Sequence, residues 1–197
     1  GYDAHYIGNP LVDEVENRKA LMPQKNDIQA SLGLGEKPVI ALLSGSRKQE
    51  VVSILPQMIK VIKDFPEYDF VVTAVAHIPE KIYKDITGDL PVKIVTGKTY
   101  EVLSIAEAAL VTSGTATLET ALLNVPQVVC YCTSALTYHL SKMVIRVNYI
   151  SLVNLIMNSE IIVELIQKDL NTERIRNELS YIIRGGSKRE KMLDDYS

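Results

Sequence analysis

The stretch Pro38-Val39-Ile40-Ala41-Leu42-Leu43-Ser44-Gly45-Ser46-Arg47 decides the fold. From Pro38 to Leu43 no side chain is polar, which is the pattern of a strand buried on both faces. Ser44-Gly45-Ser46 ends it, and a helix is predicted to follow with Val51, Ile54, Leu55, Met58 and Ile62 on one face. Pro56 either kinks that helix or marks the first turn of its main segment. The same alternation continues downstream. Asp69–Val75, Val92–Val95, Ala108–Thr112 and Gln127–Cys132 read as strands, with helices at Glu80–Ile86, Tyr100–Ala106 and Ala116–Leu123. Ser134 is placed to cap a further helix running to about Ile145. Repeated strand–helix units with apolar strands imply an α/β fold, a Rossmann-like parallel sheet with helices on both faces.

Residues 36–170 are read as that domain. Residues 1–35 form a lead-in with one helix around Val12–Leu21, and residues 171–197 supply C-terminal helices. There, Asn171–Ile183 is amphipathic, apolar at Ile175, Leu179 and Ile182, and Gly185-Gly186 stops it. If that apolar face has no cover within the chain, a neighbouring copy is expected to supply it, giving a homodimer.

Apolar residues make up 47% of the 197 and charged residues 23%, a globular balance that argues against disordered and fibrous classes. The net charge of −3, with no basic stripe, gives no reason to expect nucleic acid as a partner. Lys188, Arg189 and Lys191, followed by Asp194 and Asp195, read as a solvated tail. Cys130 and Cys132 lie two residues apart in one apolar run, and the extended backbone of a strand does not easily let residues so close in sequence bridge each other. His139 alone does not complete a metal site around them, and both are read as reduced thiols of a cytosolic protein. The sequence has no signal peptide and no apolar run long enough to span a bilayer. Gly1–Tyr6 does not look like a natural start, so a piece of a longer protein is expected.

In open parallel sheets, ligands bind beyond the carboxyl ends of the strands, where strand order reverses. Two loops have the composition for that place. In Leu43-Ser44-Gly45-Ser46-Arg47, Gly45 lets backbone approach a ligand, Ser46 offers a hydroxyl, and Arg47 has a planar fork suited to phosphate oxygens. In Thr112-Ser113-Gly114-Thr115-Ala116-Thr117-Leu118-Glu119, hydroxyls and N–H groups gather at a helix N-terminus, which favours an anion such as pyrophosphate. Glu119, one turn further on, has the reach to accept bonds from two ribose hydroxyls. Each loop has a plainer reading as well: a turn with an N-cap, and a first-turn acid that suits the helix dipole. Neither matches the dinucleotide fingerprint or the P-loop.

The chain resembles the lipid-A-disaccharide synthase family, inverting glycosyltransferases with two Rossmann-like halves (the GT-B architecture). The resemblance rests on Tyr6-Ile7-Gly8-Asn9-Pro10-Leu11, on Leu42-Leu43-Ser44-Gly45-Ser46-Arg47 and on the long run Ser104–Glu119. It continues through Val125-Pro126-Gln127-Val128-Val129-Cys130-Tyr131 and Tyr149-Ile150-Ser151-Leu152-Val153-Asn154-Leu155-Ile156. It implies the C-terminal half of such an enzyme, with transfer of 2,3-diacylglucosamine from UDP to 2,3-diacylglucosamine 1-phosphate. UDP leaves and a β-1,6 disaccharide forms. It further implies that Gly45, Ser46, Arg47, Ser113, Gly114 and Thr115 face the pyrophosphate. Glu119 would hold the ribose, and the loop from Gly97 through Lys98 to Tyr100 would meet the uracil. Arg47 and Asn154 carry over as active-site positions, although Asn154 also reads as a loop-closing amide. No metal and no cofactor are expected, the UDP-sugar being substrate. The usual catalytic base belongs to the N-terminal half.

The resemblance also implies a cytoplasmic protein peripheral to the inner membrane, because both substrates carry acyl chains. Leu136–Ile156, apolar with Lys142 and Arg146 interspersed, suits an interfacial surface or a packed helix followed by a loop. Asn9, Ser44 and Val153 stand where the family usually has His, Pro and Pro. The two missing prolines loosen backbone while leaving the polar groups intact. Asn9 removes an imidazole near the interdomain hinge, so a family role for that side chain does not carry over. The alternatives are another GT-B enzyme using UDP-N-acetylglucosamine, or a nucleotide-binding module without catalysis.

Overall fold

The computed structural model describes residues 10–132 and 148–197. Asn9, His139, Lys142, Arg146 and the helix expected from Ser134 to Ile145 lie outside the described residues. Two helices come first, α1 (Pro10–Ala20) and α2 (Lys25–Ser31). The strands are β1 (Val39–Leu43), β2 (Asp69–Ala74), β3 (Val92–Thr96), β4 (Ala106–Thr112), β5 (Gln127–Tyr131) and β6 (Glu164–Ile166). They form one six-stranded sheet in the order β3-β2-β1-β4-β5-β6. Every neighbouring pair is parallel. Between the strands lie α3 (Lys48–Met58), α4 (Glu80–Thr87), α5 (Thr99–Ile105), α6 (Thr115–Leu122) and α7 (Leu152–Met157). The chain closes with α8 (Thr172–Ile182) and α9 (Arg189–Asp195).

Strand periodicity divides the core. Ile40 and Leu42 pack with Val51, Ile54, Met58 and Leu110 on one face. Val39, Ala41 and Leu43 pack on the other with Val15, Ile28, Val102 and Val111. All of β1 is therefore buried, as its unbroken apolar run requires. The chain leaves β1 toward β2 on one side and returns to β4 on the other, so strand order reverses between β1 and β4. Their carboxyl ends are in register, Leu43 beside Val111, which puts Ser44 beside Thr112 at the crevice mouth.

The expected elements differ from the observed ones at several points. Pro56 sits in the last turn of α3, and the chain tightens into a 3-10 helix at Ile59–Asp64. The segment Lys188–Asp195 is no solvated tail. Arg189 donates from Nη1 to the carbonyls of Glu107 and Ile182, at 2.8 and 2.9 Å. Lys188 pairs with Glu178 at 2.6 Å, and Met192 is buried. The apolar face of α8 also needs no second copy. Ile175, Leu179 and Ile182 are buried within the chain's own core, which removes the motive for a dimer through that face. Cys130 is buried, its thiol pKa pushed up by desolvation, and Cys132 is half-buried; both are free.

Candidate functional site

The first loop is shaped by Glu50. Gly45 has φ +109°, and a Cβ there would lie 2.5 Å from Glu50 Oε2 and 2.6 Å from Glu50 Cβ. Only glycine fits both the backbone and the space. Glu50 folds back so that its Oε2 accepts from the N–H groups of Ser46 and Arg47, at 2.9 and 3.1 Å. Two backbone donors of the loop expected to face the pyrophosphate are thus held by the chain's own carboxylate. The groups left outward are the Ser46 side chain and Arg47, whose side chain is 83% exposed with Nη1 a loose 3.7 Å from Glu50 Oε1. His77 donates from Nε2 to the Ser46 carbonyl at 2.8 Å, so the loop after β2 braces this one. Glu50 and His77 were both missed from sequence. A Glu three residues after a helix start carried the signal for Glu50, whereas His77 is distant in sequence and had none.

The second loop opens α6 with Gly114 at the N-cap, in a conformation (φ 154°, ψ −164°) that favours glycine, and no side chain caps the helix. The N-terminus of α6 therefore lacks the internal carboxylate that occupies α3. Ser113 donates its hydroxyl to the Ile150 carbonyl at 2.8 Å, which anchors the loop. Thr115 is exposed. Below, the hydroxyls of Ser44 and Thr112 are buried without a hydrogen-bond partner among the described residues. The structure thus brings Gly45, Ser46 and Arg47 together with Ser113, Gly114 and Thr115 at adjacent strand ends.

Gly97 (φ +70°) and Lys98 follow the edge strand β3. They join the site through Tyr100, whose hydroxyl donates to Glu119 Oε1 at 2.8 Å. Burial, then this bond, raises the Tyr100 pKa, so the hydroxyl stays a donor at all ordinary pH. Lys98 and Tyr100 also line a cavity of about 450 Å³ shared with Arg18, Leu21, Met22 and Ser31.

Asn154 lies inside the fold. It is 0% exposed. Its Nδ2 donates to Ile162 O at 2.7 Å and Glu164 Oε1 at 2.9 Å, and its Oδ1 accepts from the N–H groups of Ile161 and Ile162 at 2.8 and 3.0 Å. That uses the amide's full capacity. Glu164 also takes the N–H groups of Ile150 and Ser151, both at 2.9 Å. Asn154 closes this loop with its amide, and among the described residues hydrogen bonds link it to the site through Glu164, Ile150 and Ser113. Among the described residues, no group of three His, Cys, Asp or Glu side chains is placed to hold a metal ion.

Comparison with known proteins follows this geometry. The family model described as Lipid-A-disaccharide synthetase matches residues 1–197. A lipid-A-disaccharide synthase of Syntrophus aciditrophicus (strain SB) is 37% identical over 205 residues, covering 100% of this chain and 52% of that protein. The chain spans about half the length of the curated relatives it matches. Among solved structures, a UDP-GlcNAc 2-epimerase from Neisseria meningitidis bound to UDP-GlcNAc is similar at TM-score 0.61 and 16% identity, covering 94% of this chain and 48% of that one. The E. coli ADP-heptose lps heptosyltransferase II is similar at TM-score 0.56 and 15% identity, covering 86% of this chain and 50% of that one. At such identities the likeness speaks for the fold alone. The full-length family match and the identity to the Syntrophus protein decide the rest: the chain belongs to the lipid-A-disaccharide synthetase family.

Proposed function

We propose that the chain is the C-terminal, nucleotide-binding half of an inverting glycosyltransferase. In this reading the whole enzyme moves 2,3-diacylglucosamine from UDP onto 2,3-diacylglucosamine 1-phosphate. The observation that carries it is the pairing of two loops across the β1/β4 reversal, Gly45-Ser46-Arg47 and Ser113-Gly114-Thr115, in a member of this family. The pyrophosphate lies against the uncapped N-terminus of α6, where N–H groups and the helix dipole favour negative charge. Arg47 meets the charge that develops on the leaving phosphate, with no metal or cofactor required. Glu119 accepts from the ribose hydroxyls, and the Gly97–Tyr100 loop lies against the base. The acceptor site and the catalytic base come from the N-terminal half.

Both substrates carry acyl chains, so the enzyme works at the cytoplasmic face of the inner membrane. No helix among the described residues is long and apolar enough to cross a membrane. Leu155, Ile156 and Met157 are 42%, 62% and 50% exposed, an apolar edge suited to lipid contact.

A turnover assay tests this reading. The 197-residue chain alone is expected to bind UDP weakly and to transfer nothing, because a pocket lined from one side cannot position an acceptor. Such positioning supplies roughly 7–11 kcal/mol of a barrier. The two halves together are expected to turn over the acylated donor and to reject UDP-N-acetylglucosamine. Robust turnover by the chain alone, or equal use of the unacylated donor, overturns the proposal.

A further inference from the structure

We propose that Tyr100 is a positioning residue for the ribose-binding carboxylate, and that Arg18 of the lead-in helix α1 holds Tyr100 in place. The proposal rests on the reading of Glu119 as the ribose ligand and adds what sets its geometry. Glu119 extends from α6, and a free glutamate there would sample several rotamers. The Tyr100 hydroxyl, arriving from α5, fixes its Oε1 at 2.8 Å. That leaves Oε2, which has no partner among the described residues, to accept from the nucleotide.

Tyr100 is held in turn. The Arg18 guanidinium lies 4.4 Å from the Tyr100 ring centroid. Arg18 Nε and Nη2 stand 3.1 and 3.0 Å from Glu14 Oε1. A continuous contact chain therefore runs from Glu14 and Arg18 on α1, through Tyr100 on α5, to Glu119 on α6. The segment that leads into the domain thereby sets the orientation of a carboxylate in the crevice. Glu14, Arg18 and Tyr100 all lie outside the phosphate loops. Its effect is confined to ribose recognition, above all to the 2′-hydroxyl.

Calorimetric titration of the 197-residue chain with UDP and with 2′-deoxy-UDP tests this. The unsubstituted chain is expected to prefer UDP about tenfold, the worth of one good hydrogen bond to a charged acceptor. Tyr100→Phe keeps the ring under Arg18 and removes only the hydroxyl. It is expected to bring the preference down to about twofold or less, with the modest fall in melting temperature that loss of one hydrogen bond brings. Arg18→Ala is expected to shift the ratio the same way by a smaller factor. Tyr100→Phe with the full preference retained, beside Glu119→Ala with the preference lost, overturns the positioning role and leaves the ribose reading intact. An unsubstituted chain with no preference overturns both. A contact that only braced α5 against α6 would lower the melting temperature without touching the ratio, which also overturns the proposal.

Discussion

On the proposed function, Arg47→Ala in the protein with both halves is expected to lower turnover about a hundredfold or more while leaving the fold's stability within about 0.5 kcal/mol of the parent. The two effects separate because of where the side chain sits. It is 83% exposed, and its pairing with Glu50 at 3.7 Å is long and solvated, so almost no stability rests on it. A charge-assisted donor aimed at developing phosphate charge is different, since losing one such group costs about 2.7–4 kcal/mol of transition-state stabilisation. Steady-state kinetics beside a thermal melt checks both halves of the expectation. The loss should fall mainly on kcat, because the charge Arg47 meets grows only as the donor bond breaks. Unchanged turnover would remove Arg47 from the site.

Asn154→Ala has the opposite signature. The substitution leaves Ile162 N and Ile162 O without partners in a buried network and takes one bond each from Ile161 N and Glu164 Oε1, which keep Ser159 O and Ser151. Unsatisfied buried groups cost roughly 1–3 kcal/mol each, so a destabilisation of about 3 kcal/mol or more is expected even with partial relaxation. In a domain of this size that lowers the thermal midpoint by very roughly 6–12 °C. Asn154→Asp should do little better, because it sets a second carboxylate against Glu164 in the same network. Nucleotide affinity should fall only as far as Ile150 releases Ser113. A variant that melts with the parent yet loses turnover would contradict this, and would return Asn154 to direct contact with substrate.

The contrast between these residues shows what the sequence could disclose. Strands β1 to β5 were legible because each carries a short, mostly apolar run between helical patterns, and a doubly wound sheet is their simplest packing. Helix α2 went unseen because its seven residues carry little apolar signal beyond Ile28. Strand β6, Glu164-Leu165-Ile166, is too short for any periodicity, and its role as an edge comes from pairing with β5. Lys188–Asp195 looked like tail because composition cannot reveal that Arg189 finds the carbonyls of Ile182 and the distant Glu107.

At the site, the loops themselves were readable from strand–Gly–helix patterns and from the resemblance. Their supports were not. Glu50 on Ser46 and Arg47 had only its capping-box spacing to announce it, and His77 on the Ser46 carbonyl and Tyr100 on Glu119 are contacts that only the folded chain juxtaposes. The resemblance gave Asn154 a place in the active site, and the geometry gave it four structural bonds instead.

The central claim is that UDP binds in the crevice between β1 and β4. The direct measurement is an amide chemical-shift titration of the isotope-labelled chain with UDP. The largest perturbations are expected at Gly45–Arg47, Gly97–Tyr100 and Ser113–Glu119, with Ser46 and Arg47 moving as phosphate competes with Glu50 for their N–H groups. Perturbations gathered instead around the cavity lined by Lys19, Lys25, Ser104 and Leu123, or no saturable shifts at all, would contradict it.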